Sequence, residues 1–162
     1  MTALRREAFL WAVVLAVATA PMLAAGPGRA GTSEQIVADP NSGLAINGYD
    51  PVDYFLEGKP VSGKANFEYD FGGAVWRFRN EGNRAAFAAD PAVYAPQFGG
   101  YDPVGVARGV PLAGDPRLWL VQDRRLYLFY SEDNRAAFSQ DPDQVVRDSR
   151  RTWPTLRNTL SP

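Results

Sequence analysis

The chain repeats itself, and any fold it adopts has to accommodate that. Gly48-Tyr49-Asp50-Pro51-Val52 recurs as Gly100-Tyr101-Asp102-Pro103-Val104, 52 residues later. Gly58, Pro60 and Gly63 recur as Gly109, Pro111 and Gly114, 51 residues later. Asn83-Arg84-Ala85-Ala86-Phe87 recurs as Asn134-Arg135-Ala136-Ala137-Phe138, and Asp90-Pro91 as Asp141-Pro142. Phe78 and Glu81 match Phe129 and Glu132. One single-residue deletion between Val104 and Gly109 reconciles the two offsets. Matching blocks in one order imply two copies of one unit. We place the copies at 47–98 and 99–150, after a polar leader at 31–46 and before a C-terminal tail at 151–162.

Each copy carries the same coarse pattern. Phe67, Tyr69 and Phe71 alternate with polar residues, as a half-buried strand does. Gly72-Gly73 predicts a tight turn, and Trp76 and Phe78 alternate on the return strand. In the second copy Leu118 to Val121, a turn at Asp123-Arg124 and Leu126 to Tyr130 give a more apolar hairpin, expected to be more buried. Asn80 and Ser131 are placed to cap a helix carrying the repeated Asn-Arg-Ala-Ala-Phe. Asp90 and Asp141, each before a Pro, are placed to cap another. Val145, Val146 and Trp153 should face inward from the last helix. The expected fold is therefore α+β: two tandem ββα units with antiparallel hairpins and short helices. A single hairpin is marginal alone, so the two should share a core about a pseudo-twofold axis.

The first thirty residues read as a secretory signal. Arg5 and Arg6 form a basic region, Phe9 to Ala20 is an unbroken apolar run, and Gly28-Arg29-Ala30 offers small side chains for cleavage. Ala25 is a second possible cleavage point. The arginine pair leaves both the general and the twin-arginine export routes open. An exported protein, periplasmic or secreted, is expected, touching a membrane only through this segment.

Export narrows the chemistry further. The chain has no Cys and no His, and its two Met, Met1 and Met22, both lie within the signal. Disulfides, thiolate nucleophiles, imidazole bases and Cys/His metal sites are all excluded. Removal of residues 1–30 leaves 14 basic and 17 acidic residues, a net charge of −3. That balance gives no footprint for nucleic acid. At 46% hydrophobic, the chain can bury a core without cross-links.

The stretch Trp76-Arg77-Phe78-Arg79-Asn80-Glu81-Gly82-Asn83-Arg84-Ala85-Ala86-Phe87-Ala88-Ala89-Asp90-Pro91 resembles the YHS-domain family. The resemblance continues through Tyr94-Ala95-Pro96-Gln97 into Gly99-Gly100-Tyr101. Upstream, Gly48 to Val52 with Tyr54-Phe55 is similar to exported bacterial members. It covers about residues 46–110 and, more weakly, the second copy. Metal-linked members of that family and of TRASH-type domains place one Cys just after the Phe of the second strand and another four residues on. Here those positions hold Arg79 and Asn83, then Tyr130 and Asn134. Where exported members often carry a Cys after Gly-Gly-Tyr, this chain has Asp102. The resemblance implies the scaffold; its thiolate metal site is not available to this sequence.

Six residues stand out as candidate ligand contacts. Asp50 and Asp102 occupy equivalent places, each before a Pro. They read either as helix N-caps or as a paired-carboxylate site for a hard cation or acid–base work. Tyr49 and Tyr101 either line a groove beside them or plug the core. Arg84 and Arg135, in the first turn of the repeated helix, oppose its dipole, so each should have a partner: an acid of its own unit or an anion between the copies. No catalytic residue, metal ligand or cofactor is assigned. The expectation is a non-catalytic binding or interaction module, monomeric or weakly dimeric, contacting a small ligand or protein at the seam between the copies. Metal handling through oxygen ligands and a carboxylate-based hydrolase are the alternatives.

Overall fold

A computed structural model describes residues 35–160. Residues 1–30, whose sequence reads as a signal, lie outside the described residues, and Ala25 and Ala30 with them. Both expected hairpins are present. β1 (Lys64–Phe71) pairs antiparallel with β2 (Ala74–Phe78), and β3 (Asp115–Gln122) with β4 (Arg125–Phe129). Their turns require left-handed backbone at two successive residues. Gly72 and Gly73 supply it in one hairpin (φ 64° and 83°), Asp123 and Arg124 in the other (φ 50° and 57°).

The registers match as well. Tyr69 faces Trp76 and Leu120 faces Tyr127, and each ladder then slips so that Lys64 faces Phe78 and Asp115 faces Phe129. Just before each slip stands a glycine that admits no side chain. A Cβ on Gly63 would lie 2.5 Å from the Arg77 backbone, and one on Gly114 would lie 2.6 Å from Leu128 Cβ. The repeated glycines therefore mark where the chain crosses close over the return strand.

Helices follow each hairpin. α2 (Glu81–Ala89) begins at Asn80, whose side chain accepts from the Asn83 amide. α5 (Glu132–Gln140) begins at Ser131, whose hydroxyl accepts from the Asn134 amide. Short helices α1 (Asp53–Leu56) and α4 (Pro103–Ala107) precede the hairpins. The halves then diverge. α3 (Pro91–Tyr94) is a single turn, while α6 (Pro142–Arg157) runs 16 residues. Pro96 follows α3 closely, and the residue before a proline leaves the helical region. Asp141 caps α6 by accepting from the Gln144 amide; the Asp90 side chain makes no such bond.

Two segments differ from their expected roles. The tail at 151–162 is largely helix, because Ser149, Trp153 and Leu156 continue the inward stripe of α6, and Leu156 and Leu160 are buried. The described part of the leader, from Gln35, is packed against the domain. Ala45 and Ile46 are fully buried, and Val37, Ala45 and Ile46 bond to backbone of Gly99, Val75 and Val37 respectively.

β4 explains how the core is shared. Successive strand side chains point to opposite faces. Leu126 and Leu128 therefore pack with Trp76, Phe78 and Phe87 of the first half, while Tyr127 and Phe129 pack with Phe138 of the second, with Leu156 beyond it and with Phe98 at the end of the first copy. Across the same boundary Tyr54 donates its hydroxyl to Pro116 O at 2.8 Å, and its ring meets Trp119 edge-on. Among the described residues no helix is long and apolar enough to cross a membrane.

Candidate functional site

Asp50 and Asp102 are each fully buried, and each is the hub of a hydrogen-bond cluster. Asp102 caps α4: Oδ1 accepts from the amides of Val104 (2.7 Å) and Gly105 (3.1 Å). Its Oδ2 accepts from the Tyr130 amide and from Asn134 Nδ2, both at 2.8 Å. Asp50 is built in the same way with one change. Oδ1 accepts from the Val52 amide at 2.9 Å, but α1 starts only at Asp53, so this bond closes a turn ahead of the helix. Oδ2 accepts from the Arg79 amide and from Asn83 Nδ2, both at 2.7 Å.

Each carboxylate thus ties the Gly-Tyr-Asp-Pro-Val turn to the end of the second strand and to the following helix. The repeated Asn of Asn-Arg-Ala-Ala-Phe is the residue that reaches back to it. Arg79, Asn83, Tyr130 and Asn134, where the YHS resemblance would place thiols, are the very donors to the two aspartates. Asp50 and Asp102 share no hydrogen-bond partner, so they form two separate clamps.

The carboxylate that does approach Asp50 is Asp53, which the sequence reading passed over. It is fully buried, accepts from Asn83 Nδ2 at 3.0 Å, and lies 3.1 Å from Arg79 Nη2. Arg79 also pairs with Glu57 at 3.0 Å. Asp53 Oδ2 is buried with no hydrogen-bond partner. Burial, and then the charge of Asp50, raise its pKa; the Asn83 bond and Arg79 oppose the rise. The one available signal was asymmetry: Asp53 aligns with Gly105, where a Cβ would stand 2.8 Å from Val110 O. Among the described residues no group of three or more carboxylates is arranged to hold a metal ion.

The remaining candidates separate. Tyr101 is buried with its ring tilted against Trp153, while Tyr49 is partly exposed; their backbones make equivalent antiparallel bridges, to Ala113 and to Ser62. Arg84 and Arg135 pair with Glu81 and Glu132 of their own helices, both at 2.6 Å. That is the partner within the unit which their position called for, and neither pairs across the halves. Tyr130 is 59% exposed, so it contributes its backbone amide to the clamp and its ring to the surface. Compared with family models, curated proteins and solved structures, the chain matches none.

Proposed function

We propose that the chain is an exported, non-catalytic binding or interaction module of the YHS type, made of two copies of one unit. The observation that supports this most is the state of Asp50 and Asp102. General acid–base work needs a carboxyl within hydrogen-bond reach of a substrate. Both of these groups are fully buried and already accept from several protein donors. They serve the scaffold. The signal layout of residues 1–30 motivates the periplasmic or secreted location, and a small ligand or protein is the partner class.

The test is a panel of glycoside, ester and phosphoester substrates offered to the purified protein. No turnover is expected. A rate that disappears in Asp50→Asn or Asp102→Asn, in protein that remains folded, overturns this reading in favour of a carboxylate hydrolase.

A further inference from the structure

A cavity of about 290 Å³ opens between the β3–β4 hairpin and α6. Its polar wall is made of Gln122, Asp123 and Arg125 from the hairpin and Asp143, Arg147 and Arg150 from α6. Asp143, Val146, Arg147 and Arg150 lie three to four residues apart, so one face of α6 lines it. Tyr127 forms its inner end. That residue is only 3% exposed, its ring packed on Phe98 and Phe138, yet its hydroxyl has no hydrogen-bond partner among the described residues.

Asp53 Oδ2 is the sole sealed and unpartnered side-chain atom among the described residues, so the Tyr127 hydroxyl is open to the cavity and can donate to a ligand there. The groups acting on it are those of the cavity: burial raises its pKa, Arg150 and Arg125 oppose the rise, and Asp123 adds to it. Among the described residues none of the three guanidiniums is in an ion pair, although Arg147 stands near enough to Asp148 to help lower its pKa. Arg125 donates to Ala92 O at 2.9 Å and Arg147 to Gln144 Oε1 at 2.7 Å, both neutral acceptors. Arg150 makes no hydrogen bond or ion pair among the described residues, and neither Asp123 nor Asp143 pairs with any of the three. The lining carries three cations against two carboxylates.

The first half has nothing equivalent. Fifty-one residues earlier, Arg125, Tyr127, Arg147 and Arg150 correspond to Ala74, Trp76, Pro96 and Gly99. Trp76 satisfies its own indole by donating to Phe71 O at 3.0 Å. The shared scaffold therefore closes without these polar groups, and the second half carries them in addition.

We infer that this cavity binds a small molecule bearing an oxyanion, a carboxylate or phosphate, on a compact apolar body. Arg150 and Arg125 take the oxyanion by the fork geometry guanidinium offers. The Tyr127 hydroxyl donates to it, and Val146 with the Tyr127 ring covers the apolar part. The volume lies at the lower end of ligand pockets, which begin at about 300 Å³. The inference gives the binding-module reading a ligand class and a place, and it rests on that reading only for the absence of turnover.

The experiment is an NMR titration of the purified protein with phenyl phosphate, inorganic phosphate and, at matched ionic strength, chloride. Saturable shifts confined to Gln122, Tyr127, Val146 and Arg150 are expected with phenyl phosphate, weaker ones with phosphate and none with chloride. Arg150→Ala should weaken phenyl phosphate by about tenfold or more, as loss of a charge-assisted fork does. Tyr127→Phe should weaken it by roughly three- to tenfold, as loss of one neutral hydrogen bond does. Arg108→Ala, an exposed arginine outside the cavity, should change nothing. Shifts scattered over exposed arginines, or equal affinity in Arg150→Ala, would overturn the site and leave the binding-module reading standing. Release of phenol, lost in Arg150→Ala, would support the site and overturn the non-catalytic reading instead.

Discussion

The two halves of the molecule hold the same aspartate in different company. In the second half, Asp102 meets only neutral donors: three backbone amides and Asn134. In the first, Asp50 has two amides and Asn83, but Asn83 is shared with Asp53, and Asp53 brings Arg79 and Glu57 with it. The same backbone clamp is thus neutral apart from its aspartate in one half and embedded in a charged cluster in the other. Three positions decide this: Asp53 against Gly105, Glu57 against Arg108 and Arg79 against Tyr130, and at the first of them the close approach of Val110 O leaves the second half no room for a side chain.

The comparison breaks most visibly at the hubs. Truncating either aspartate strands buried donors, each costing about 1–3 kcal/mol when left unpaired. Asp102→Ala leaves four donors without their acceptor. Asp50→Ala leaves three, and Asp53 can still hold Asn83. We expect a loss of about 3–5 kcal/mol for Asp102→Ala and about 2–4 kcal/mol for Asp50→Ala, in the range of broken buried networks. Urea unfolding of the two variants checks the order. Equal losses, or both under about 1 kcal/mol, would mean that water replaces the carboxylates and that they are not clamps.

How much of this was legible in the sequence follows from what each residue encodes. Hairpins, turns and helix caps are local: Gly72-Gly73, Asn80 and Ser131 act on residues within a few positions, and all stand where expected. The recurrence of Asp50 and Asp102 before proline announced a shared structural need. Its partners did not show, because Asn83 and Asn134 lie 33 and 32 residues away and only the folded chain brings them near. Asp53 was invisible for a different reason: it breaks the repeat, so attention to recurring blocks passed over it. The last helix was expected to carry Val145, Val146 and Trp153 inward, and α6 does reach Trp153; the spacing of Ser149, Trp153 and Leu156 carries it on past Pro154 to Arg157.

A smaller effect separates the halves by pH. Folding raises the pKa of Asp53 above its ordinary 3.8, so the folded state binds more protons than the unfolded one above that value. The contribution of Asp53 to stability is full below 3.8 and is lost as pH rises through its folded pKa. Asp39, Glu81, Asp115 and Asp148 have lowered pKa values, from hydrogen bonds and arginine partners, and act in the opposite sense as pH falls below the usual carboxylate range. Asp53→Asn removes one titration and leaves the others. Relative to the unmodified protein, it should therefore gain stability as pH rises from about 4 through the folded pKa of Asp53 and change no further above it, read as urea midpoints along a pH series. A difference constant across that series would place Asp53 in an unperturbed environment and remove the electrostatic contrast between the halves.

The smallest expected effect tests where the halves are alike. Arg84 and Arg135 are each about one-third exposed, with side-chain values of 38% and 36%, and each pairs with a more exposed glutamate three residues earlier. Exposed pairs at this spacing contribute about 0.2–0.5 kcal/mol. Each arginine also sits in the first turn of its helix, where a cation is mildly unfavourable. The two terms nearly cancel. Arg84→Ala and Arg135→Ala should each change stability by no more than about 0.5 kcal/mol, and by the same amount, because neither cation reaches beyond its own helix. A loss above about 1 kcal/mol at one arginine alone would require a further partner for it. The repeated arginine would then be a further point, after Asp53 and Gly105, at which the same local sequence is used differently in the two halves.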